Sequence, residues 1–408
     1  MTDSTQSTAR HADHARMAAL ELSDYSVPDA IATQIMTPAL VLFERHIRDN
    51  IQQMLRYMNG NPQRWRAHLK TTKTPEIYAE LITAGLRSFK CATPREALCM
   101  LEVAAHAGVH DVDILLAFPF QGPALTRVAQ IAAQFSQARV SVLSESPEHV
   151  SDIPDCLGVF VDINPGMNRT GIELAQRDRI HAVAAAAGKR FAGLHFYDGH
   201  IHAPTAEARR AATHALYNEL LELRTDLHRR GIHTQELITS GTPAFRSALE
   251  FPGFANGQVV TSTDETCIHR VSPGTVVLHD LRSDELLEDV DLKPAALLLA
   301  RVVSQPSANL VTCDAGSKSL AAEAGAPVAF VVGHPGLTAQ TPSEEHLPLK
   351  LDGSTKMPAY GQLLLLVPSH VCPTVNLAEQ ALWVGADGST KVVSITARAH
   401  ELMLDASH

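Results

Sequence analysis

No two cysteines in this sequence are spaced as C-x-x-C. The six, Cys91, Cys99, Cys156, Cys267, Cys313 and Cys372, are scattered along 408 residues. That scatter argues against a disulfide-stapled scaffold and for reduced thiols in a cytoplasmic protein. Long apolar runs are missing too. The longest, "LLLLV" at 363–367, falls far short of the ~20 residues that a membrane helix needs. The opening stretch, "MTDSTQSTARHADHARMAAL", lacks a charged segment followed by an apolar one, so no signal peptide is expected, and 1–24 reads as a mobile polar tail. Excess positive charge is also lacking: the formal net charge is -10, with no basic patch interleaved with aromatics. Nucleic acid and anionic membrane surfaces are therefore not expected partners. Internal repeats and low-complexity segments are absent.

What is present is a large apolar fraction, 45%, enough for a sizeable core and for two or three domains. From about residue 64 to 262 short apolar strands alternate with helical segments. The expected strands are 66–71, 87–92, 112–118, 138–144, 158–164, 191–197, 236–241 and 258–262. Between them "TPEIYAELITAG", "TPREALCMLEVAAHAG", "PALTRVAQIAAQF", "RDRIHAVAAAAG" and "TAEARRAATHALYNELLELRTDLHRRG" carry helical apolar spacing. Eight strand–helix units match a (β/α)₈ barrel, with a doubly wound open sheet as the competing arrangement. After about residue 272 the helical period fades. Segments such as "GTVVLHD", "ALLLARVVSQ", "GQLLLLVPSH" and "TKVVSITARA" read as strands of a separate all-β domain. The expected division is a barrel over 25–270, a β-domain over 271–400 and a short tail over 401–408. Strand 38–43 is expected to join the β-domain.

The ends of the expected barrel strands collect polar chemistry. The first ends in Lys70, the fifth runs into "DINPGMNRTG", the sixth into "HFYDGHIH" and the seventh into "TSGTP". In a barrel these C-terminal ends share one mouth. The turn Ser240-Gly241-Thr242 offers backbone N–H groups and hydroxyls ahead of a helix start, which suits a phosphate. A lysine facing such a pocket suggests a Schiff base to pyridoxal phosphate. Lys73 falls in the following loop.

Taken together, "RAHLKTTK", "FKCATPREA", "DINPGMNRTGI", "GLHFYDGHIH", "SGTPAF", "SPGT", "CDAGSKSLAAE", "EEH" and "PSHVCPTVNL" make the chain resemble the alanine-racemase-like, fold-type III pyridoxal phosphate enzymes. Within them it looks like the D-threonine aldolase and D-serine dehydratase group. The resemblance runs from about Pro38 to Leu377 and implies a barrel plus a β-domain. It also implies a lyase acting on small 3-hydroxy-D-amino acids: a dehydratase releasing keto acid and ammonia, or an aldolase releasing glycine and an aldehyde. A racemase and a non-catalytic cofactor carrier are the remoter readings.

Carried over by motif, Lys70 is the cofactor lysine and Arg169 lies near the phenolic oxygen. Tyr197 lies beside the pyridine ring, and Ser240, Gly241 and Thr242 hold the phosphate. His370 and Cys372 match the family's metal pair, and an imidazole with a thiolate favours zinc, with manganese as the alternative. His200 is the candidate for contact with the metal-bound substrate, and His195 for packing within the barrel. The resemblance also implies a homodimer in which His370 and Cys372 of one chain serve Lys70 of the other. Two departures stand out. Thr72 replaces a histidine usual two residues after the lysine, and it is expected to share that lysine's face. Cys372 stands where aldolases of the group carry aspartate, which leans toward dehydration. Asp314, Lys318 and His346 match motifs without a derivable role.

Overall fold

The computed structural model describes residues 15–201, 203, 205–260, 266–287, 289–323 and 325–402. The chain divides into two compact units, one of residues 51–276 with 399–408, the other of 1–50 with 277–398. Among the described residues no helix is long and apolar enough to cross a membrane.

The first unit is a parallel barrel. Its strands, in chain order, are Ala67–His68, Ser88–Cys91, Asp113–Leu116, Arg139–Ser144, Gly158–Asn164, Phe191–Phe196, Glu236–Thr239 and Ile268–Val271, each paired in parallel with its neighbour. The ring closes where Trp65 bridges Val271 in parallel and the Arg66 N–H donates to Val271 O at 2.9 Å. Helices Pro75–Thr83, Pro94–His106, Gly122–Gln134, Pro147–Asp152, Arg177–Ala187, Ala206–Arg229 and Phe245–Glu250 follow the first seven strands. Local chemistry starts several of them. Thr93, Ser146 and Thr205 each accept a backbone N–H from the first helical turn, and proline follows directly after Thr93 and Ser146, a position where its missing donor costs nothing.

The eighth strand corrects the expectation of 258–262. Gln258 makes one antiparallel bridge to Ile268, and Val260 is exposed. The strand is "IHRV", whose two ionisable residues disguise it. His269 stacks on Phe254 at 3.7 Å and bonds Thr239 Oγ1, while Arg270 pairs with Glu236. Satisfied polar groups tolerate burial, so polarity here did not mean surface.

Inward residues of alternating parity fill the barrel in layers. At the N-terminal end Arg66, fully buried, donates to both carboxylate oxygens of Glu236 at 2.8 and 2.7 Å and to Asp113 at 2.9 Å. Arg270 pairs with Glu236, and Arg139 with Asp113. Burial raises the Asp113 carboxyl, but Arg66 and Arg139 outweigh it and hold the group at about 2. Above lies an apolar layer of Leu115, Leu143, Phe160, Ala192 and Ile238. Gly193 is required between strands, since a Cβ there would run into Glu236 O.

The second unit is an all-β fold. Strands Ala296–Ser307, Leu310–Cys313, Leu347–Leu351, Leu337–Ala339, Ala329–Val331 and Leu363–Pro368 pair antiparallel in that order, and the last returns to the first to close a small barrel. Ala39–Phe43 pairs with Ala296–Ser307 on one side and with Gln380–Val384 on the other; Thr390–Ser394 ends the sheet. Segment 274–280, expected as a strand, instead makes a short 3₁₀ turn at Thr275–Val277. The polar tail also ends earlier than Asp24. Ala15–Ala18 is helical, and Met17 is buried among Val41, Phe43 and Leu297. Arg16 donates to Leu287 O and Val290 O.

The ionic layer generates a prediction. Glu236→Gln leaves two buried guanidinium groups short of a counter-charge, so stability should fall by ~3–5 kcal/mol. Arg177→Ala, in an exposed pair with Glu222, should change it by under ~0.5 kcal/mol. Urea unfolding of both variants checks this, and comparable small losses would dismiss the network as a stabilising element.

Candidate functional site

Every barrel residue that the sequence selects sits at or just beyond a strand's C-terminal end. Lys70 lies in the turn after the first strand, and its side chain is exposed. Lys73, three residues on, is buried with a left-handed φ of 49°. It donates to Glu96 Oε1 at 2.7 Å, and Glu96 Oε2 accepts the Ala92 N–H. Lys73 is thus spent on holding the first two strand–helix turns, whereas Lys70 is open to a ligand. Thr72 departs from expectation. It is buried, its hydroxyl donates to Leu69 O at 3.3 Å and meets Tyr78, so it does not share a face with exposed Lys70. The strand ends at His68, and the turn that follows breaks the two-residue alternation.

Tyr197 is the hub of the mouth. The Arg169 guanidinium lies 4.8 Å from its ring centre and Lys90 Nζ 5.5 Å from it. Gly241 lets the ring close in, because a Cβ there would lie 2.9 Å from the ring edge. Arg169 itself is exposed, on a loop braced by Asn164, whose Oδ1 accepts from Gly166 and Asn168 N–H. Ser240 adopts φ 56°, and its Oγ is buried without a hydrogen-bond partner among the described residues. Thr242 follows Gly241 in the turn before the six-residue helix Phe245–Glu250. Asp198, buried, accepts from Tyr217 Oη at 2.5 Å and from the Gly241 N–H, tying the sixth and seventh strand ends together. Burial pushes its carboxyl up to about 6. His200 lies against the 165–167 loop: a Cβ on Gly166 would be 3.0 Å from its Nε2. His202 lies outside the described residues.

Several groups at this end were not selected from the sequence as site residues. Lys90, opposite His68 in the strand register, is buried. Its Nζ donates to Ser272 Oγ and lies 3.5 Å from His195 Nε2. His195 in turn meets Asp162 Oδ1 through Nδ1 at 2.7 Å. Burial lowers both Lys90, to about 7, and His195, and the Lys70 charge lowers Lys90 further. The signal was available: a lysine in the middle of the apolar strand "SFKCA", two residues after an inward-facing serine.

The expected metal pair lies in the other unit. His370 is the extended residue before helix Val371–Leu377, and Cys372 stands in that helix's first turn. Their side chains are hydrogen-bonded, which raises the imidazole to about 9 against the lowering effect of burial. Glu323 Oε1 meets His370 Nδ1 at 2.5 Å. Asp280 Oδ2 accepts the Val371 N–H, and Thr374 Oγ1 donates to His370 O. Among the described residues no cluster of three or more His, Cys, Asp or Glu is assembled for a metal; a borderline-soft divalent ion would find an imidazole and a thiol here and draw its other ligands from substrate or water. Three motif residues gain structural roles. Asp314 accepts from Arg301 N–H and Thr37 Oγ1. Lys318 pairs with Glu344 and Glu345. The His346 carbonyl closes a turn with Ser343. A cavity of about 670 Å³ in this unit, lined by Ile35, Leu40, Leu382 and Val392 among others, holds none of the expected catalytic, cofactor or metal residues.

Two family descriptions match the sequence: "Alanine racemase, N-terminal domain" over residues 44–255, and "Putative serine dehydratase domain" over 295–384. The chain belongs to the alanine racemase-like family. It is 28% identical over 370 residues to D-threonine aldolase from Arthrobacter sp, covering 87% of this chain and 90% of that one. It is 25% identical over 365 residues to 3-hydroxy-D-aspartate aldolase from Paracoccus denitrificans (strain Pd 1222), covering 86% and 89%. The crystal structure of D-threonine aldolase from Filomicrobium marinum superposes with a TM-score of 0.76 at 26% identity, covering 89% of this chain and 96% of that one. D-threo-3-hydroxyaspartate dehydratase from Delftia sp. HT23 shares the fold, with a TM-score of 0.70 at 21% identity, covering 91% and 99%.

This family implies pyridoxal phosphate, and the residues present fit it. An unpartnered buried serine hydroxyl beside a glycine suits the phosphate, a cation-flanked tyrosine offers a wall for the ring, and an exposed lysine stands at the mouth. The two lysines can be told apart by stability. Glu96→Gln should cost ~3–5 kcal/mol by leaving buried Lys73 without its counter-ion. Lys70→Gln should change stability by under ~0.5 kcal/mol. Urea titrations of the apoprotein decide it; the reverse order would make Lys70 the structural lysine.

Proposed function

We propose that this chain is a pyridoxal-phosphate- and divalent-metal-dependent lyase acting on 3-hydroxy-D-amino acids, with dehydration to a keto acid and ammonia as its leading reaction. The observation that carries the reading is the constellation at the barrel mouth: exposed Lys70, cation-flanked Tyr197 and the unpartnered hydroxyl of Ser240. Retro-aldol cleavage to glycine and an aldehyde is the second reading, favoured by the aldolase names of the similar proteins. The Cys372 thiol beside His370 favours dehydration.

Bound pyridoxal phosphate would act as the electron sink that makes the bonds at Cα labile. Lys70 would hold it covalently between turnovers, then be released as an amine able to take the Cα proton. Ser240, Gly241 and Thr242 would bind the phosphate, and Arg169 would face the phenolic oxygen. Tyr197, with Arg169 and Lys90 near its ring, would wall one side of the cofactor ring. A divalent ion at His370 and Cys372 would supply Lewis acidity to the 3-hydroxyl. His200 would contact the substrate on that side. Six cysteines outside any disulfide suit a reducing cytoplasm.

Product analysis on D-serine, D-threonine and both 3-hydroxy-D-aspartates tests the reaction. Keto acid with ammonia supports dehydration, glycine with an aldehyde supports cleavage, and racemised substrate alone would overturn both. Lys70→Ala should lose the visible cofactor band, while Lys73→Ala, if folded, should keep it.

Assembly is the second part of the proposal: a two-fold dimer in which His370 and Cys372 of one chain complete the Lys70 site of the other. An isologous interface would build two such sites at once. Chelation should abolish activity while leaving the cofactor band in place. Mixed under subunit exchange, Lys70→Ala and Cys372→Ala chains should recover activity, since each hybrid holds one intact site. Hybrids that form and stay inactive would put the metal pair and lysine in the same chain.

A further inference from the structure

The least explained group in the barrel is Lys90. A buried ammonium is costly unless a carboxylate balances it. Of the other buried cations, Arg66 has Glu236 and Asp113, Arg270 has Glu236 and Lys73 has Glu96, whereas Arg64 donates to the Leu249 and Phe254 carbonyls. Among the described residues Lys90 has no carboxylate in ion-pair contact; its Nζ meets a hydroxyl, Ser272 Oγ, and an imidazole nitrogen, His195 Nε2. Its surroundings are cationic on two sides. Lys70 comes from the turn after the first strand, and His68, kept neutral by burial and by Lys70 and Lys90, from that strand. Arg169 comes from the loop after the fifth strand, and Asp162 from that strand; Asp162 Oδ1 is engaged by His195, and the Asp162 and Asp198 charges act on Lys90 without an ion-pair contact. Tyr197 and Asp198 come from the sixth strand's end, and Asp198 is bound to Tyr217. Ser272 lies just after the eighth strand and is itself held by Ser240 O at 2.8 Å.

We propose that Lys90 is a positioning residue for the Lys70 site: its amine, opposite His68 in the strand register and 5.5 Å from the Tyr197 ring centre, sets the pH at which the Lys70-bound cofactor gains or loses its proton. The inference rests on the reading that Lys70 carries pyridoxal phosphate. Three features support it. Lys90 and His68 are opposite one another in the strand register, two residues before Lys70. Lys90 Nζ and the Arg169 guanidinium both lie close to the Tyr197 ring, 5.5 and 4.8 Å from its centre. Burial and the charge of an unbound Lys70 bring the Lys90 amine down to about 7, against the raising effect of Asp162 and Asp198. The contact through Ser272 to Ser240 O also links it to the proposed phosphate turn. A neighbouring cation disfavours protonation of a nearby nitrogen. Removing it should therefore raise the midpoint of the cofactor's titration, and making it permanent should lower it.

The experiment is a pH titration of the visible cofactor band in purified holoprotein, for the wild type, Lys90→Met and Lys90→Arg. Lys90→Met should move the midpoint up, and Lys90→Arg should hold it below that of Lys90→Met by about one unit or more. A purely structural lysine would weaken both variants without ordering their midpoints. Coinciding midpoints, or a band that titrates in none of the three proteins, overturn the proposal. Absence of any Lys70-dependent band in the wild type instead sinks the cofactor reading itself. Wild-type holoprotein labelled with ¹³C-lysine gives an independent check should either variant fail to fold. One lysine Cε resonance should titrate near neutrality, and no lysine titrating below about pH 9 would overturn the inference.

Discussion

Burying positive charge inside a closed parallel barrel is the constraint on which this structure turns. Inward side chains of such a barrel are walled off from water on every side, so each cation placed there needs a counter-charge or must give up its proton. The two ends of the barrel meet that demand differently. At the N-terminal end Arg66 and Arg270 share Glu236, and Arg66 reaches Asp113 as well. The result is a neutralised plug with no open valence for a ligand. At the C-terminal end Lys90 is left with a hydroxyl and an imidazole, and Ser240 keeps an unused hydroxyl. One end is neutralised by its own partners, and the other keeps polar groups short of theirs.

The turns at the open end are correspondingly over-braced. Asn164 accepts two backbone N–H groups of the Arg169 loop, and Glu145 Oε1 accepts a third from Gly171. Asp198 joins Tyr217 to Gly241, and Lys73 with Glu96 locks the first two turns. Groups that would face a ligand stay exposed or unpartnered, while the backbone beneath them is tied down. Such division of labour is what a preorganised site requires. In the other unit, Asp280 and Thr374 hold the backbone of the turn bearing His370 and Cys372, and those two side chains are partly exposed.

Much of this was legible in the sequence. Period-3.6 segments placed the helices at 75–83, 94–106, 122–134, 177–187 and 206–229 almost to the residue, because threonine, proline and glycine mark helix ends by local geometry alone. The strand-end motifs around Lys70, Arg169, Tyr197 and Ser240 were visible because a parallel barrel gathers its C-terminal strand ends into one place. Cysteine spacing, charge and the absence of long apolar runs depend on composition only.

What the tertiary structure decided were the cases where a polar residue is buried by a partner distant in the chain. "IHRV" is a strand because Glu236 pairs with Arg270 and Thr239 and Phe254 engage the His269 ring, and no local pattern announces those partners. Lys73 is structural and Lys70 open because Glu96 lies 23 residues beyond one and not the other. Thr72 turns away from Lys70 because the strand stops at His68. Lys90 lacks an ion-pair contact because Asp162 Oδ1 is turned to His195, and its charge meets Asp162 and Asp198 only at longer range. Sequence periodicity records where side chains point along one element, whereas the cost of burying a charge depends on what the rest of the fold brings to meet it.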